Sequence, residues 1–542
     1  MKKYVLGMDF GTLSARAIIV DALSGEELSE SVFEYPHGVM DRELPDGTLL
    51  PPRCALEHPD DYLVAMKRVI SEAIALAGLT ADDISGVGLD FTGCTMLAVD
   101  ENATPLCFDD KYKNNPCAYV QLWKSHHAEE QAQRITAIAK ERGEKWLDIY
   151  GGAVISEWML PKILYILENA PEIYDAAYRF TEAGDWLTHL LTGNETHATS
   201  FVGLKALWNA EDGYPTDEFF AAVHPKLAGI IGSKLSENIL PVGDIAGYID
   251  ERGAALTGLK IGTPVAQAVI DAPAGMPGLG IIGEGELMAI LGTSGCYIVN
   301  SKKSISIKGI AGYVKESIYS GYYTYEAGQC CLGDGFDWFI KNFVPESYTA
   351  DAESQGVNIH KYLREKAKKM KIGESRLIVL DWFNGNRSVL SDGDLSGMIV
   401  GLTLSTRPEH IYRAMIEGMA FGAKMIVDNF DENGLPIKSI CASGGIARKD
   451  ELLMQIFADV LGREIKVGGT TQACALGSTV YASVAAGIHS NMDDAIKAIA
   501  KPPVKTYYPI PENHKAYLAL FEEYKALHDY FGRGGNNVMK RI

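Results

Sequence analysis

VLGMDFGTLSARAIIVD, residues 5–21, is an apolar run that carries Asp9, a tight Gly11-Thr12 turn, and a second apolar run. Two strands joined by a hairpin are the expected structure. The turn is unusually polar: Thr12 and Ser14 bring hydroxyls and Arg16 brings a cation. A carboxylate buried in the first arm needs a reason, because an unpaired buried charge is expensive.

The same pattern returns about half the chain later. ELMAILGTSGCYIVNS, residues 286–301, runs from an apolar strand through Gly292-Thr293-Ser294-Gly295 into a second strand. Both turns lead into a strand and not a helix, which sets them apart from a Walker loop or a dinucleotide fingerprint. Exposed N–H groups and hydroxyls of such hairpins can still converge on phosphate. Either turn alone reads as an ordinary hairpin. Two at matching positions suggest a duplicated domain that uses its turn.

A chain of 542 residues exceeds what one core usually serves, so two large domains are expected. The division is placed at 1–246 and 247–542, with 240–262 as the crossing. Net charge is −20, which argues against nucleic acid and membrane surfaces as partners but leaves room for an anionic substrate in a local cationic pocket. Nine scattered cysteines without a C-x-x-C pair fit reduced thiols rather than disulfides or zinc. MKKYVLGMDF has no secretory apolar core, and no apolar run approaches the ~18 residues of a membrane span. A soluble, cytoplasmic protein is expected.

Between the hairpins the chain alternates strand and helix. Residues 59–78 read as a helix with acidic residues in its first turn, and ISGVGLDFTG (84–93) as a buried strand ending at a loop. TPVAQAVIDAPAG (263–275) reads as a strand ending at Asp271. There Asp271 is either a helix cap or a base at a strand end. ICASGGIARKD (440–450) gives a strand and a Gly444-Gly445 turn before a helix, either a plain connection or a bed for something flat. The small residues Ala475, Ser478, Ala482 and Ala485 recur at helical spacing and read as close helix packing. Tyr517, Leu520, Phe521, Tyr524 and Leu527 form the stripe of a packing helix near the end. Lys205 in GLKALW and Glu326 in YEAGQC are single charges in uncharged stretches. DWFNGNRS (381–388) has the residue density of a binding loop, and His126-His127 lacks further ligands for a metal.

These motifs together resemble the FGGY carbohydrate kinase family, within the actin/hexokinase-like ATPases. GMDFGTLSARA (7–17), LWKSHHAEE (122–130), LKALW (204–208), LGTSGC (291–296), EAGQ (326–329), DWFNGNR (381–387), IEGMAFGAKMIV (416–427) and GGIARKD (444–450) follow in the family's order. DWFNG with GGIARK is similar to the branch that phosphorylates L-ribulose on its 5-hydroxyl, in L-arabinose catabolism.

The resemblance implies an α/β fold of two actin/RNase H-like domains with ATP in the cleft between them. It implies Mg²⁺ at Asp9, through water, and phosphates along Gly11, Thr12, Ser14 and Arg16 on one side. Gly292, Thr293 and Ser294 meet them from the other. Adenosine lies along Gly444, Gly445 and Ala447. Asp271 matches the catalytic base, Lys205 and Glu326 the sugar pocket, and Gly93 lies near the sugar. ATP is co-substrate, a small ketopentose the acceptor, and a homodimer the expected assembly. Three positions depart from that branch: Leu204 replaces its His, Ala272-Pro273 its Cys or amide followed by His, and Ser125 its Asp. They leave the base and the ATP elements intact and bear on the choice of sugar. The rival expectations are the same chemistry on xylulose or ribitol, and a non-catalytic actin-like nucleotide switch.

Overall fold

The computed structural model describes residues 3–542. Two compact units emerge. The first comprises Met1–Ile282, Tyr313–Thr324 and Gln472–Pro502, and the second Gly283–Gly312, Tyr325–Thr471 and Pro503–Ile542. The division expected at 246/247 therefore moves to 282/283, and the chain returns to the first unit twice. The physical reason lies in pairing: the strand Pro264–Ala266 joins the Ile84–Phe91 strand in parallel, and Val269–Ile270 does the same. Residues 240–262 are no linker, since they fold as the strand Ile245–Tyr248 and the helix Glu251–Thr257 inside the first unit.

In the first unit, β1 (Tyr4–Phe10) and β2 (Ser14–Asp21) form the expected hairpin, in register from Tyr4 opposite Asp21 to Phe10 opposite Ala15. Beyond β1 lies the parallel Ile84–Phe91 strand, and beyond β2 the antiparallel Glu26–Glu34 strand. The helix Pro59–Leu76 buries Tyr62, Ala65, Met66, Val69, Ile70 and Ala73 in one core with Leu6, Met8, Ile19 and Leu89. Its first turn carries Asp60 and Asp61, where the helix dipole favours negative charge.

The helix Ala473–Ala485 packs against β1 and the Ile84–Phe91 strand so tightly that side chains are excluded. A Cβ on Gly7 would lie 2.2 Å from the Ala475 carbonyl, and one on Gly88 2.1 Å from that of Ser478. The glycines in these strands and the small residues of the helix are two halves of one contact. Close packing is what the small face is for.

The second unit repeats the plan. Its hairpin pairs the strand Glu286–Leu291 with Gly295–Ser301, and a parallel strand, Ser439–Ser443, flanks the first arm. The sheet continues through Ile465–Val467 to Lys505–Tyr507. The C-terminal helix Pro511–Gly532 buries Tyr517, Phe521 and Tyr524 of the expected stripe, while Leu520 and Leu527 are half-buried.

Two expectations change locally. The strand toward Asp271 breaks at Gln267-Ala268, because Gln267 is drawn into a polar network: its amide nitrogen donates to Asp185 Oδ1 at 3.0 Å, and its carbonyl oxygen accepts from Thr196 at 2.7 Å. The DWFNGNRS stretch is partly core. Trp382 is buried against His528, and Asp381 accepts from Gln329 at 2.8 Å and from Tyr524 at 2.7 Å. Burial raises Asp381 to about 6 in spite of those bonds.

Candidate active site

In the first unit the polar hairpin turn is closed by Gly11 N–H donating to the Ser14 carbonyl at 3.0 Å. Asp9 and Arg16 are cross-strand partners, so their side chains share one face. Arg16 Nη1 donates to Asp9 Oδ2 at 3.2 Å and Nη2 to Ser14 Oγ at 3.3 Å, one guanidinium spanning both arms. Thr12 accepts at Oγ1 from the Trp123 indole at 3.0 Å. The hydroxyls and cation that made the turn conspicuous in sequence are thus gathered with Asp9. Trp123 joins them, unforeseen as a partner.

Asp90 is the larger omission. It stands opposite Asp9 on the parallel neighbour strand, fully buried, and accepts from Ser478 Oγ at 2.7 Å. Its own strand offered the signal already used for Asp9, a carboxylate in an apolar run. Burial, then the carboxylates of Asp9 and Asp271, push Asp90 well above the usual carboxylate range. Burial raises Asp9 too, but Arg16 opposes it. Ligand atoms of Asp9, Asp90 and Cys474 lie within 4.8 Å of one another. Carboxylate oxygens suit a hard cation such as Mg²⁺, and the thiol does not. Of these groups the Asp9 carboxylate, which also meets Arg16, fits such an ion.

Asp271 follows the Val269–Ile270 strand, which pairs with Asp90 and Phe91, so it emerges at the end of the sheet where that neighbouring strand also ends. It is the first residue of the helix Asp271–Gly278, and its Oδ1 accepts from the Ala272 N–H at 2.7 Å. The cap position itself falls to Ile270, without a side-chain bond, so Asp271 stands at the strand end as the first helical residue and not as the cap. Gly93 sits against this strand: a Cβ there would approach Ile270 Cδ1 to 3.1 Å. Lys205 ends the helix Thr199–Lys205, half-buried, and acts electrostatically on Cys94 beside Gly93. Burial nevertheless drives the Cys94 thiol up to about 12. Of the departures, Leu204 and Ser125 are buried. Ser125 Oγ accepts from Ala55 N–H at 3.0 Å and pairs with His127 Nδ1 at 2.7 Å. The His126-His127 pair thus contributes to holding a loop.

In the second unit Gly292 N–H donates to the Ser294 carbonyl at 3.1 Å, closing a turn one residue shorter than the first, since Leu291 pairs with Gly295 where Phe10 pairs with Ala15. The helix Gly333–Phe343 begins on it: Leu332 N–H donates to Thr293 O at 2.9 Å and Gly333 N–H to Gly292 O at 3.0 Å. Gly444 has φ +95°, and a Cβ there would lie 2.4 Å from the Leu291 carbonyl, so only glycine lets this turn lie beside the Gly292 turn. Gly445 faces open space, and Ala447 is buried. Glu326 is half-buried on the strand Tyr323–Gln329. Its neighbour Gln329 ties that strand to Asp381, so EAGQ and DWFNG meet as structure. Each unit therefore assembles its own share of the expected residues.

With this geometry in hand, likeness to known proteins can be read. Residues 4–278 match the N-terminal domain, and residues 287–486 the C-terminal domain, of the FGGY family of carbohydrate kinases. A ribulokinase of Bacillus licheniformis is 46% identical over 98% of this chain and 97% of its own. One from Geobacillus thermodenitrificans is 44% identical over 100% of this chain and 97% of its own. Among solved structures, a gluconate kinase from Lactobacillus acidophilus superposes with a TM-score of 0.80 at 19% identity, covering 98% of this chain and 99% of its own. A xylulose kinase from Rhodospirillum rubrum reaches 0.78 at 22%, covering 97% and 98%. At that identity the solved structures speak for the fold, and it is the actin/RNase H-like arrangement of sugar kinases. Among the described residues, no helix is long and apolar enough to cross a membrane.

Proposed function

The chain belongs to the FGGY family of carbohydrate kinases, and from that premise we propose that it transfers the γ-phosphoryl group of ATP to the 5-hydroxyl of L-ribulose, in the cytoplasm. The observation that carries the choice of sugar is identity of 44–46% along essentially the whole chain to proteins named ribulokinase. The xylulose kinases share the fold at about half that identity.

Phosphoryl transfer asks a protein mainly for positioning and charge neutralisation. Asp271 orients the attacking hydroxyl and takes its proton as the new bond forms. Lys205 donates to, and Glu326 accepts from, hydroxyls of the open-chain ketose, while Gly93 leaves room beside it. Gly11, Thr12, Ser14 and Arg16 serve the phosphates, as do Gly292, Thr293 and Ser294. Gly444, Gly445 and Ala447 lie along adenosine. Asp9 would hold Mg²⁺, and that ion would supply neutralisation of the phosphate charge. Arg16 pairs with Asp9 at 3.2 Å and exchanges that partner for phosphate when ATP binds.

A panel of ketoses and polyols in an ADP-coupled assay, with the product's phosphate position read by NMR, tests the proposal. L-ribulose should give the highest kcat/KM and L-ribulose 5-phosphate the product. Preference for xylulose or ribitol would reassign the sugar. ATP binding without turnover on any sugar would leave a nucleotide switch.

A further inference from the structure

Lys162, in the helix Met159–Asn169, is fully buried. Its Nζ donates to three backbone carbonyls: Cys94 at 2.6 Å, Leu122 at 2.9 Å and Gln121 at 3.2 Å. Three acceptors match the three N–H bonds of an ammonium, whereas a neutral amine could satisfy only two. Methionine would fill a similar volume without burying charge, and such replacements are often neutral or stabilising. The ammonium therefore has to be explained by the carbonyls it holds.

Both carbonyl-bearing segments lead to the candidate site. Cys94 follows Gly93 and has φ +60°, a left-handed conformation that a residue with a Cβ keeps only when its surroundings enforce it. The rest of this turn is tied by Thr95 N–H donating to Glu182 at 2.9 Å and by Thr92 and Thr95 hydroxyls 2.7 Å apart. Gly93 at its apex packs on Ile270, next to Asp271. Gln121 and Leu122, for their part, run directly into Trp123, the residue bonded to Thr12.

We propose that Lys162 is a positioning residue for phosphoryl transfer, whose ammonium fixes the 92–95 turn against the end of the Asp271 strand and the 121–123 arm against Thr12. It rests on the reading above of Gly93 as a neighbour of the sugar and Thr12 as a phosphate contact. Lys162 touches neither substrate. It holds the two surfaces that do, from behind and at one point.

The test uses Lys162→Met, Cys94→Gly and the double variant in the full chain, with steady-state kinetics, ATP affinity by calorimetry and thermal unfolding. Lys162→Met should raise the KM for L-ribulose by about tenfold or more, as for a lost bond to a charged group, and weaken ATP binding. Glycine takes φ +60° freely, so adding Cys94→Gly should recover at least about threefold of the lost KM. It should leave the ATP defect, which runs through Trp123, in place. Wild-type KM and ATP affinity in folded Lys162→Met would overturn the proposal, as would a KM loss that Cys94→Gly does not touch. If Lys162→Met does not fold, the double variant decides: recovered folding supports a turn held by Lys162, and continued failure overturns it. If the unaltered protein does not phosphorylate L-ribulose, the substrate reading fails by itself. ATP affinity and the coupling of the two substitutions in thermal unfolding still judge Lys162.

Discussion

Asp9 and Asp90 face each other across two parallel strands, both buried, yet only Asp9 has a cation at its side, Arg16 at 3.2 Å. The pair is therefore unequal. Burial and the neighbouring carboxylates raise Asp90 well above the usual carboxylate range, while at Asp9 the Arg16 guanidinium opposes the rise that burial causes.

That inequality is testable. Asparagine mimics a neutral carboxylic acid, so Asp90→Asn should fold and keep turnover within about tenfold. Asp9→Asn removes the carboxylate proposed for Mg²⁺, and should lower kcat on the order of 10²-fold or more. Equal effects of the two substitutions, measured in the same coupled assay, would contradict the assignment.

The two glycine turns make a second case. Neither Gly11 nor Gly292 has a positive φ, and a Cβ would come no closer than 3.5 Å to any atom at Gly11 and 4.0 Å at Gly292. Replacement should cost the fold little. Gly11→Val and Gly292→Val should retain wild-type circular dichroism and melting, but weaken ATP binding about tenfold or more by crowding the phosphates. Unchanged ATP affinity in both folded variants would reduce the turns to plain hairpins.

For the sugar pocket, Lys205→Met and Glu326→Gln should each lower kcat/KM for L-ribulose by about 10- to 150-fold, the worth of a hydrogen bond to a charged group. The loss should shrink on ketoses that lack the contacted hydroxyl, with the KM for ATP nearly constant. Equal losses on every sugar, together with a lowered Tm, would mean that these charges serve the fold.

How far the sequence foretold this can be judged residue by residue. The hairpins were legible because alternation and a glycine turn are local signals, and both formed with the expected ends. Asp90 was equally visible as a carboxylate in an apolar strand, but its meaning depends on which strand lies beside it, and pairing is not local. The return of 472–502 to the first unit was hidden for the same reason: small residues announce a close contact without naming its partner. Lys162 gave no signal, since a lysine early in a helix reads as surface until the carbonyls of three distant residues surround it. Aromatic density in DWFNGNRS did not separate a binding loop from a core corner, because the two look alike in composition.

The charge network around His197 predicts a pH effect on stability. His197 is buried, with Asp185 at 3.3 Å and Glu195 at 3.7 Å. Burial alone would lower the imidazole, but these carboxylates outweigh it and raise His197 to about 9 from 6.5. A raised folded-state value means that the stabilisation is complete below pH 6.5 and is lost as pH climbs through 9. Melting curves between those limits should fall more steeply for the unaltered protein than for His197→Gln. Parallel slopes would show that the imidazole is not charged in the folded state.

The central claim is that Asp271 accepts the proton of the hydroxyl that attacks ATP. Its direct measurement is turnover of L-ribulose by folded Asp271→Asn, beside ATP affinity by calorimetry. The amide keeps the side chain's shape and its oxygen for the Ala272 N–H, but it cannot take a proton at neutral pH. The account predicts unchanged ATP affinity and a kcat lowered by a factor on the order of 10²–10⁴. Near-normal turnover in the folded variant would contradict it.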